Sequence, residues 1–231
     1  MGDKIEEILK KIKSEGRDIL TYEEARKVME LAEIPLNKIV IAKDLDDCIK
    51  KANEIGYPVV IKVVSKDIIH KSDAGGVKVG IKSDEELKKA YEEMLKSVKS
   101  HYPDAEIEGI SVEEQVEGAE ILIGSMTDPQ FDKMIALGIG GIFTELYKDV
   151  TFRLIPITED DVKEMIGEIK GKKIFDGFRG LPPIDKRELT DIMLKVSKLV
   201  EKHPQIKEMD LNPIVGTEKG LKAIDARVIL E

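Results

Sequence analysis

Residues 57–81, YPVVIKVVSKDIIHKSDAGGVKVGI, decide the fold of the N-terminal half of the chain. The β-branched run at 58–64 predicts a short buried strand, and the alternating residues 77–81 predict the strand that returns. Two strands need only a short turn to reverse direction, whereas this connection is long and carries a histidine and a pair of glycines. We therefore interpret residues 65–76 as a functional loop.

The loop and its flanking strand contain groups suited to a phosphate. Gly75 and Gly76 allow backbone N–H groups to approach an anion closely. Lys62, inside the apolar strand, would place a cation beside them; the alternative is a lysine that reaches solvent from a strand end. The imidazole of His70 can accept a phosphoryl group on nitrogen, and the alternative is a solvated loop side chain.

Composition limits the classes of function. The chain has 231 residues, 42% of them hydrophobic, and a net charge of −9. It can form one large domain or two lobes that share a cleft, and its acidity disfavours nucleic acid as a partner. No apolar run is long enough to predict a membrane span. The single cysteine, Cys48, predicts a core thiol in a reducing cytoplasm.

Periodicity and capping residues predict the remaining elements of the first half. Apolar spacing predicts helices at 3–13, 21–32, 44–55 and 83–98, with capping boxes at Thr21/Glu24 and Ser83/Glu86. A short strand is predicted at 38–42. We divide the chain into an N-terminal helix (1–20), a small lobe with Lys62 and the histidine loop (21–102), and a large lobe (103–231). The large lobe would contain the hinge between the lobes and a candidate metal site.

The second half begins with strands. Residues 110–116 and 120–124 predict a β-hairpin, and strands follow at 131–137 and 151–157. Arg153 lies within the last of these, where a guanidinium suits phosphate oxygens; the alternative is an ion pair with one of the many acids. The glycine- and proline-rich residues 171–183 predict a shaped loop at a cleft or a partner surface.

The C-terminal MDLNPIV and LKAIDARVIL segments carry a candidate metal site. Asp210 and Asn212 are two apart, so they face the same way on a strand. Asp225 falls in the next alternating strand. An acid and an amide on adjacent strands supply hard oxygen ligands for Mg²⁺, which nucleotide phosphates and water complete. The alternative for D-x-N-P is a turn cap.

Three segments together carry a family resemblance: HKSDAGGV after YPVVIKV, TELYKDVTFRLIP, and EMDLNPIV. The chain resembles, over nearly its whole length, the β subunits of ADP-forming acetyl-CoA synthetases, which are ATP-grasp proteins of the NDP-forming acyl-CoA synthetase family. The resemblance implies an α/β ATP-grasp fold with two lobes and the nucleotide between them.

The same resemblance implies roles for individual residues. The hinge strand would bind adenine through the backbone at Glu113, Gln115 and Val116, and Glu120 would receive the ribose hydroxyls. Phosphates would be neutralised by Lys62, the amides of Gly75 and Gly76, Arg153 and Mg²⁺. Asn212 and Asp225 would hold the metal, and Asp210 would steady the phosphorylated imidazole or act as a third ligand.

The implied reaction is phosphoryl transfer from phosphohistidine at His70 to Mg-ADP, giving ATP. Coenzyme A and the acyl phosphate would belong to a partner α subunit in an α2β2 assembly. Two other functions stay open. One is an ATP-grasp carboxylate ligase that acts through an acyl phosphate, with His70 a bystander. The other is a regulatory module that binds nucleotide without chemistry.

Overall fold

The computed structural model describes residues 3–68, 71–140 and 149–231, which form two compact units. Unit 1 comprises Met1–Leu36 and Val116–Glu231, and unit 2 comprises Asn37–Gln115. Each unit has a hydrophobic core of its own, as expected of separate structural lobes. The prediction of two α/β lobes is confirmed.

Unit 2 is an antiparallel sheet packed against two helices. Its strands are β1 (Ile39–Ala42), β2 (Val59–Val64), β3 (Val77–Ile81) and β4 (Gly109–Glu114), in the spatial order β1-β4-β2-β3. Its helices are α3 (Leu45–Ile55) and α4 (Asp84–His101). Val59, Ile61 and Val63 of β2 point into the core, whereas the residues between them are half-buried on the other face. The strand therefore buries one face and not both.

Unit 1 contains a larger antiparallel sheet in the order β10-β8-β5-β6-β7, with β9 paired to β8. The strands are β5 (Ala119–Asp128), β6 (Asp132–Ile139), β7 (Val150–Leu154), β8 (Ile206–Thr217), β9 (Gly220–Ala223) and β10 (Arg227–Leu230). The helices are α1 (Lys4–Ser14), α2 (Tyr22–Leu31), α5 (Glu159–Glu168) and α6 (Lys186–Lys202), with a 3₁₀ helix at Lys172–Asp176. No helix in these described ranges is long and apolar enough to cross a membrane.

One face of the unit 1 sheet packs into the core of the unit. Ile121 and Ile123 of β5, with Ile135 and Leu137 of β6, are fully buried in the same cluster as apolar residues of the helices. We call this side of the sheet the core face and the opposite side the outer face. Side chains alternate between the two faces along each strand, so the pairing register decides what each face presents.

The helices begin where the sequence predicts. Thr21 accepts a hydrogen bond from the amide of Glu24, and the Glu24 carboxylate accepts one from the amide of Thr21, which completes the capping box. Ser83 also caps α4 by accepting from the amide of Glu86. There the box is incomplete, because the Glu86 carboxylate accepts from the amide of Lys82 instead.

The boundaries between the lobes differ from the predicted ones. Helices α1 and α2 pack into the core of unit 1, although they were assigned to a separate segment and to the small lobe. Strand β4, assigned to the large lobe, pairs with β1 and β2 of unit 2. A periodic pattern shows that an element has an apolar side, but it does not show which core receives that side.

The predicted hairpin of residues 110–116 and 120–124 is wrong. Strand β4 belongs to the sheet of unit 2, whereas β5 pairs with β6 and β8 in unit 1. Gly118 lies where the backbone passes close to β8: a side chain there would overlap the carbonyl oxygen of Gly216. Glu117 and Gly118 therefore connect strands of two different sheets and do not form a hairpin turn.

The glycine pair closes the turn that leads into β3. Gly75 has a φ of +67°, and a side chain there would overlap the hydroxyl of Ser97 in α4. A side chain at Gly76 would come within 2.6 Å of Cγ1 of Val63. The amide of Val63 donates to the carbonyl oxygen of Gly76 at 2.8 Å. Both glycines therefore let the turn pack between β2 and α4.

We expect Gly75→Ala to lower the free energy of unfolding by about 2–4 kcal/mol, since it combines a left-handed backbone with overpacking. Gly80→Ala is the matched control, because Gly80 has a φ of +75° but open space around it; we expect a loss of about 1 kcal/mol. Urea denaturation followed by circular dichroism measures both. Adding Ser97→Ala to Gly75→Ala should recover part of the loss, and equal losses in the two single variants would contradict the packing argument.

An ion pair joins the segment after α1 to helix α2. Arg17 donates from both terminal nitrogens to the Glu24 carboxylate, at 3.0 and 2.8 Å, and the Glu24 side chain is 25% exposed. The hydrogen bond from Arg17 lowers the pKa of Glu24 from 4.5 to about 2, although burial acts in the opposite direction. Because the pKa is lower in the folded state, this stabilisation is complete above pH 4.5 and is lost as the pH falls towards 2.

Glu24→Gln should therefore lower the free energy of unfolding by about 2 kcal/mol at pH 7. Glutamine keeps the capping-box acceptor, so the variant removes mainly the charge. The difference from the unsubstituted chain should shrink when urea denaturation is repeated at pH 3. Glu23→Gln, in the same turn and exposed, is the control and should change stability by less than about 0.5 kcal/mol. A loss that does not vary with pH would contradict the ion-pair account.

Candidate active site

The register of the unit 1 sheet places five residues in a row on its outer face. Asp210 of β8 lies directly opposite Gly124 of β5 and Arg227 of β10. Gly124 lies opposite Ala136 of β6, which lies opposite Phe152 of β7. Direct cross-strand neighbours point to the same face. We call this set the Asp210 row.

Asn212 follows Asp210 by two residues on β8, and both are half-buried. On a regular strand this spacing predicts that the two side chains share a face. The pairing of β5 with β8 shifts its register between Ile121 and Ile123, so Asn212 and Pro213 lie at an irregularity of the ladder. Irregularities of this kind re-aim side chains and are frequent beside active sites.

Asp225 approaches the same region from the connection between β9 and β10. It was predicted inside an alternating strand, but it precedes β10 and is exposed. Its carboxylate accepts a hydrogen bond from the amide of Ala226 at 2.8 Å. The amide of Ile224 donates to the carbonyl oxygen of Pro213, which attaches this connection to the irregular part of β8.

The carboxyl group of Asp210 lies in an environment that disfavours its charge. Its Oδ1 atom is buried and has no hydrogen-bond partner among the described residues. Burial raises the pKa of Asp210, and the carboxylates of Asp225 and Glu208 raise it further, whereas Arg227 acts in the opposite direction. Crowded carboxylates with an unpartnered buried oxygen are the electrostatic situation that a bound cation relieves.

The donor set fits a hard cation that is shared with a substrate. Within residues 3–68, 71–140 and 149–231, no three His, Cys, Asp or Glu side chains are arranged as a complete metal site. Mg²⁺ does not need such a cage, since it is usually held by one or two carboxylates together with substrate phosphates and water. Asp225 and the amide oxygen of Asn212 provide oxygen ligands of the type that the sequence predicted.

Arg153 does not lie on this face. It is opposite Ile135, which belongs to the core face, and its guanidinium binds the carboxylates of Glu168 at 2.6 Å and Glu164 at 3.2 Å. Arg153 lowers the pKa of Glu168 to about 2, with a further hydrogen bond from Thr151. The structure thus shows the ion pair that the sequence left as the alternative to a phosphate contact.

Lys62 lies on the face of β2 opposite the core of unit 2 and is 34% exposed. Its ammonium binds the Glu113 carboxylate at 2.6 Å. Glu113 is almost fully buried, and its second oxygen accepts from the hydroxyl of Ser111 at 2.8 Å. The pair positions the ammonium group of Lys62, so the side chain of Glu113 has a role that the backbone-based prediction had not given it.

The predicted adenine strand has part of its backbone already occupied. The amide of Glu114 donates to the carbonyl oxygen of Lys38, and the amide of Gln115 donates to that of Pro58. The side chain of Gln115 accepts from the amide of Gly80. Strand β4 is also paired with β1 and β2 on its two sides, which uses further backbone groups of Glu113 and Glu114. In unit 1, Glu120 is exposed.

The glycine amides of the loop also have partners. The amide of Gly75 donates to the carbonyl oxygen of Ser72 at 3.0 Å, and that of Gly76 donates to the carbonyl oxygen of Lys71 at 2.7 Å. The predicted cradle of amides for phosphate is therefore used to form the turn. His70 itself lies outside the described residues.

Two residues near the predicted site were missed by sequence reasoning. Arg227 was counted only as part of an alternating strand, and Ser111 only as a polar residue of a hairpin. The D-A-R spacing places Arg227 two residues after Asp225, on the same side of an extended chain, and this signal could have drawn attention to it. Nothing in the local sequence of Ser111 indicates its contact with Glu113.

A groove of about 830 Å³ lies elsewhere in unit 1, between α5 and α6. Ile166 and Leu194 contribute its apolar lining, and Lys172 and Asp176 of the 3₁₀ helix contribute charges. These helices pack on the core face, so the groove is on the side of the sheet opposite Asp210. The predicted loop 171–183 thus borders a groove, and Asp210, Asn212 and Asp225 do not line that groove.

Comparison with known proteins agrees with this geometry. Residues 11–230 match the ATP-grasp domain family. The chain is 44% identical over 228 residues to the β subunit of acetate–CoA ligase [ADP-forming] I of Pyrococcus furiosus, covering 98% of each chain. It is 42% identical to acetate–CoA ligase [ADP-forming] I of Archaeoglobus fulgidus, covering 99% of this chain and 33% of that longer protein.

A solved structure is similar over the same length. It is acetyl-coenzyme A synthetase 1 of Candidatus Korarchaeum cryptofilum, with a TM-score of 0.80 and 38% identity over 98% of this chain and 100% of that one. That structure contains coenzyme A and Mg-AMPPCP, and its phosphohistidine segment points towards the nucleotide-binding site. The chain described here has the ATP-grasp fold and belongs to the β subunits of the ADP-forming acetate–CoA ligases.

Proposed function

We propose that this chain is the nucleotide-binding subunit of an ADP-forming acetyl-CoA synthetase and transfers a phosphoryl group between His70 and Mg-ADP. The observation that carries the proposal is the acidic set on the outer face of unit 1. There the unpartnered oxygen of Asp210 lies near Asp225 and Asn212. In a member of this family, that set is suited to a metal-bound polyphosphate.

Nucleotide contacts are proposed within each unit. In unit 2, Lys62, positioned by Glu113, supplies a cation for phosphate oxygens, and the backbone at Glu113, Gln115 and Val116 contacts the base. In unit 1, Glu120 receives the ribose hydroxyls. Arg153, Gly75 and Gly76 have no part in this set, because their polar groups are bound within their own units.

Asn212 and Asp225 are the proposed ligands of Mg²⁺. When bound, the ion neutralises charge on the phosphates and orients them. Asp210 is proposed to orient the phosphorylated imidazole of His70, since its buried carboxylate is available for a hydrogen bond from a ring N–H.

In the transfer, a terminal oxygen of the β-phosphate of ADP attacks phosphorus, the P–O bond forms and the P–N bond breaks. The electron pair of the P–N bond returns to the ring nitrogen, and the other ring nitrogen keeps the proton that it donates to Asp210. His70 is then neutral and ATP is released. With the partner subunit, the overall reaction is acyl-CoA + ADP + Pi = carboxylic acid + ATP + CoA.

The name of the Pyrococcus relative, subunit beta, implies a partner subunit. We propose an α subunit that binds coenzyme A and forms the acyl phosphate, in an α2β2 assembly. The single-chain Archaeoglobus relative, of which this chain matches one third, supports a division of the activity between two parts. A cytoplasmic location is proposed because the single cysteine is a buried free thiol.

Incubation with Mg-ATP should leave an acid-labile, alkali-stable phosphate on His70, as expected of a phosphorus–nitrogen bond. His70→Asn should reduce this labelling at least 100-fold, since it removes the nucleophile. His101→Asn is the control, because it removes an exposed histidine at the end of α4, and its labelling should be unchanged. Radiolabelled ATP with peptide mapping measures both.

The other two functions give different results in the same experiment. If the chain with its α subunit forms acyl-CoA normally after His70→Asn, it acts through an acyl phosphate alone. If it binds ADP but no phosphate is transferred, it is a regulatory module. Either result would reject the proposed function.

Asp225→Asn should raise the Mg²⁺ concentration needed for half-maximal ADP binding about tenfold or more, because it replaces a charged ligand. Glu208→Gln is the matched control: Glu208 is also an acid near Asp210, but it is not a proposed ligand. We expect it to shift the Mg²⁺ requirement less than threefold. Titration calorimetry at several Mg²⁺ concentrations measures the shift, and similar shifts in both variants would reject Asp225 as a ligand.

A further inference from the structure

Phosphoryl transfer is favoured by positive charge at the group that moves, and the proposed site on the outer face of unit 1 is rich in acids. The negative charge on the transferring oxygens is stabilised by fixed cations, and a guanidinium is suited to bind two of them at once. The arginine that the sequence favoured, Arg153, lies on the core face with its charge bound to Glu164 and Glu168. It cannot serve the outer face without breaking both ion pairs.

Arg227, unlike Arg153, lies on the outer face of the unit 1 sheet. It begins β10 and is directly opposite Asp210 in the antiparallel pair, so the two side chains share the outer face. The residue is exposed, and Val228, which follows it, is buried in the core. Alternation along the strand therefore fixes the direction of the Arg227 side chain.

Arg227 also stands next to the proposed metal ligands. Asp225 is two residues before it, and Asp210 and Asn212 lie on the neighbouring strand. A guanidinium on this face can donate two hydrogen bonds to a phosphate that Asn212 and Asp225 would hold through a metal.

We propose that Arg227 binds the phosphoryl group in transit, on the γ-position of the nucleotide or on His70. The inference rests on the proposed function and adds to it a residue for which the comparisons assign no role. It separates the two arginines of the sheet by function: Arg227 contacts the transferred phosphate, and Arg153 stabilises the packing of β7 on α5.

Three variants of the full chain test the proposal. Arg227→Gln should slow the labelling of His70 by Mg-ATP about 100-fold, in line with the loss of one fixed donor to a transferring group. Arg227→Lys should recover part of the rate, because it keeps the charge but loses the fork. Arg153→Gln is the matched control and should label within threefold of the unsubstituted chain, with a lower Tm because its ion pairs are lost.

Nucleotide affinity distinguishes whether Arg227 contacts the phosphoryl group on the nucleotide or on His70. If Arg227 contacts the γ-phosphate, Arg227→Gln should weaken Mg-AMPPCP at least tenfold and Mg-ADP less than threefold, measured by calorimetry. If it contacts the phosphate only on His70, both nucleotides should bind normally and labelling alone should fall.

The results also distinguish this proposal from the function on which it rests. If the unsubstituted chain does not label at His70, the proposed function fails, and the AMPPCP measurement alone decides whether Arg227 binds a γ-phosphate. The Arg227 proposal is overturned if Arg227→Gln labels within threefold and binds AMPPCP normally, if AMPPCP and ADP weaken equally, or if Arg153→Gln loses labelling to the same extent.

Discussion

The alternation of side chains across the antiparallel sheet of unit 1 is the constraint on which the candidate site depends. A single register brings Asp210 and Arg227 together on the outer face and sends Arg153 to the core face. A slip of one residue in β10 would turn Arg227 to the core face, and the same slip in β7 would turn Arg153 to the outer face. The chemistry of the site is therefore set by backbone pairing between strands that are far apart in the sequence.

The outer face carries an electrostatic cost that the fold tolerates. The buried carboxyl oxygen of Asp210, which has no hydrogen-bond partner in the part of the chain that the structure describes, and the neighbouring acids destabilise the folded chain. Such a cost is typical of sites that become complete when a ligand binds. The core face shows the opposite behaviour, since Arg153, Glu168 and Thr151 satisfy one another and attach β7 to α5.

Unit 2 separates structural from chemical roles within one short stretch of sequence. Gly75 and Gly76 are required by the close packing of the turn against β2 and α4, and their amides serve that turn. Lys62, a few residues earlier, keeps a partly exposed ammonium group that is held by the buried Glu113. A glycine pair near a lysine is thus compatible with either phosphate binding or close packing of a turn, and only the contacts distinguish the two.

Local sequence was sufficient for the helix starts, the strands around the histidine loop, and the family to which the motifs belong. These features depend on capping residues, on periodicity and on short spacing, all of which act over a few residues. The tertiary structure decided that β4 leaves its neighbour β5 for another sheet, that α2 belongs to unit 1, and that Arg227 and not Arg153 faces Asp210. Those outcomes depend on strand pairing over long sequence separations and on which of the two hydrophobic cores receives each amphipathic element. A local sequence pattern predicts neither.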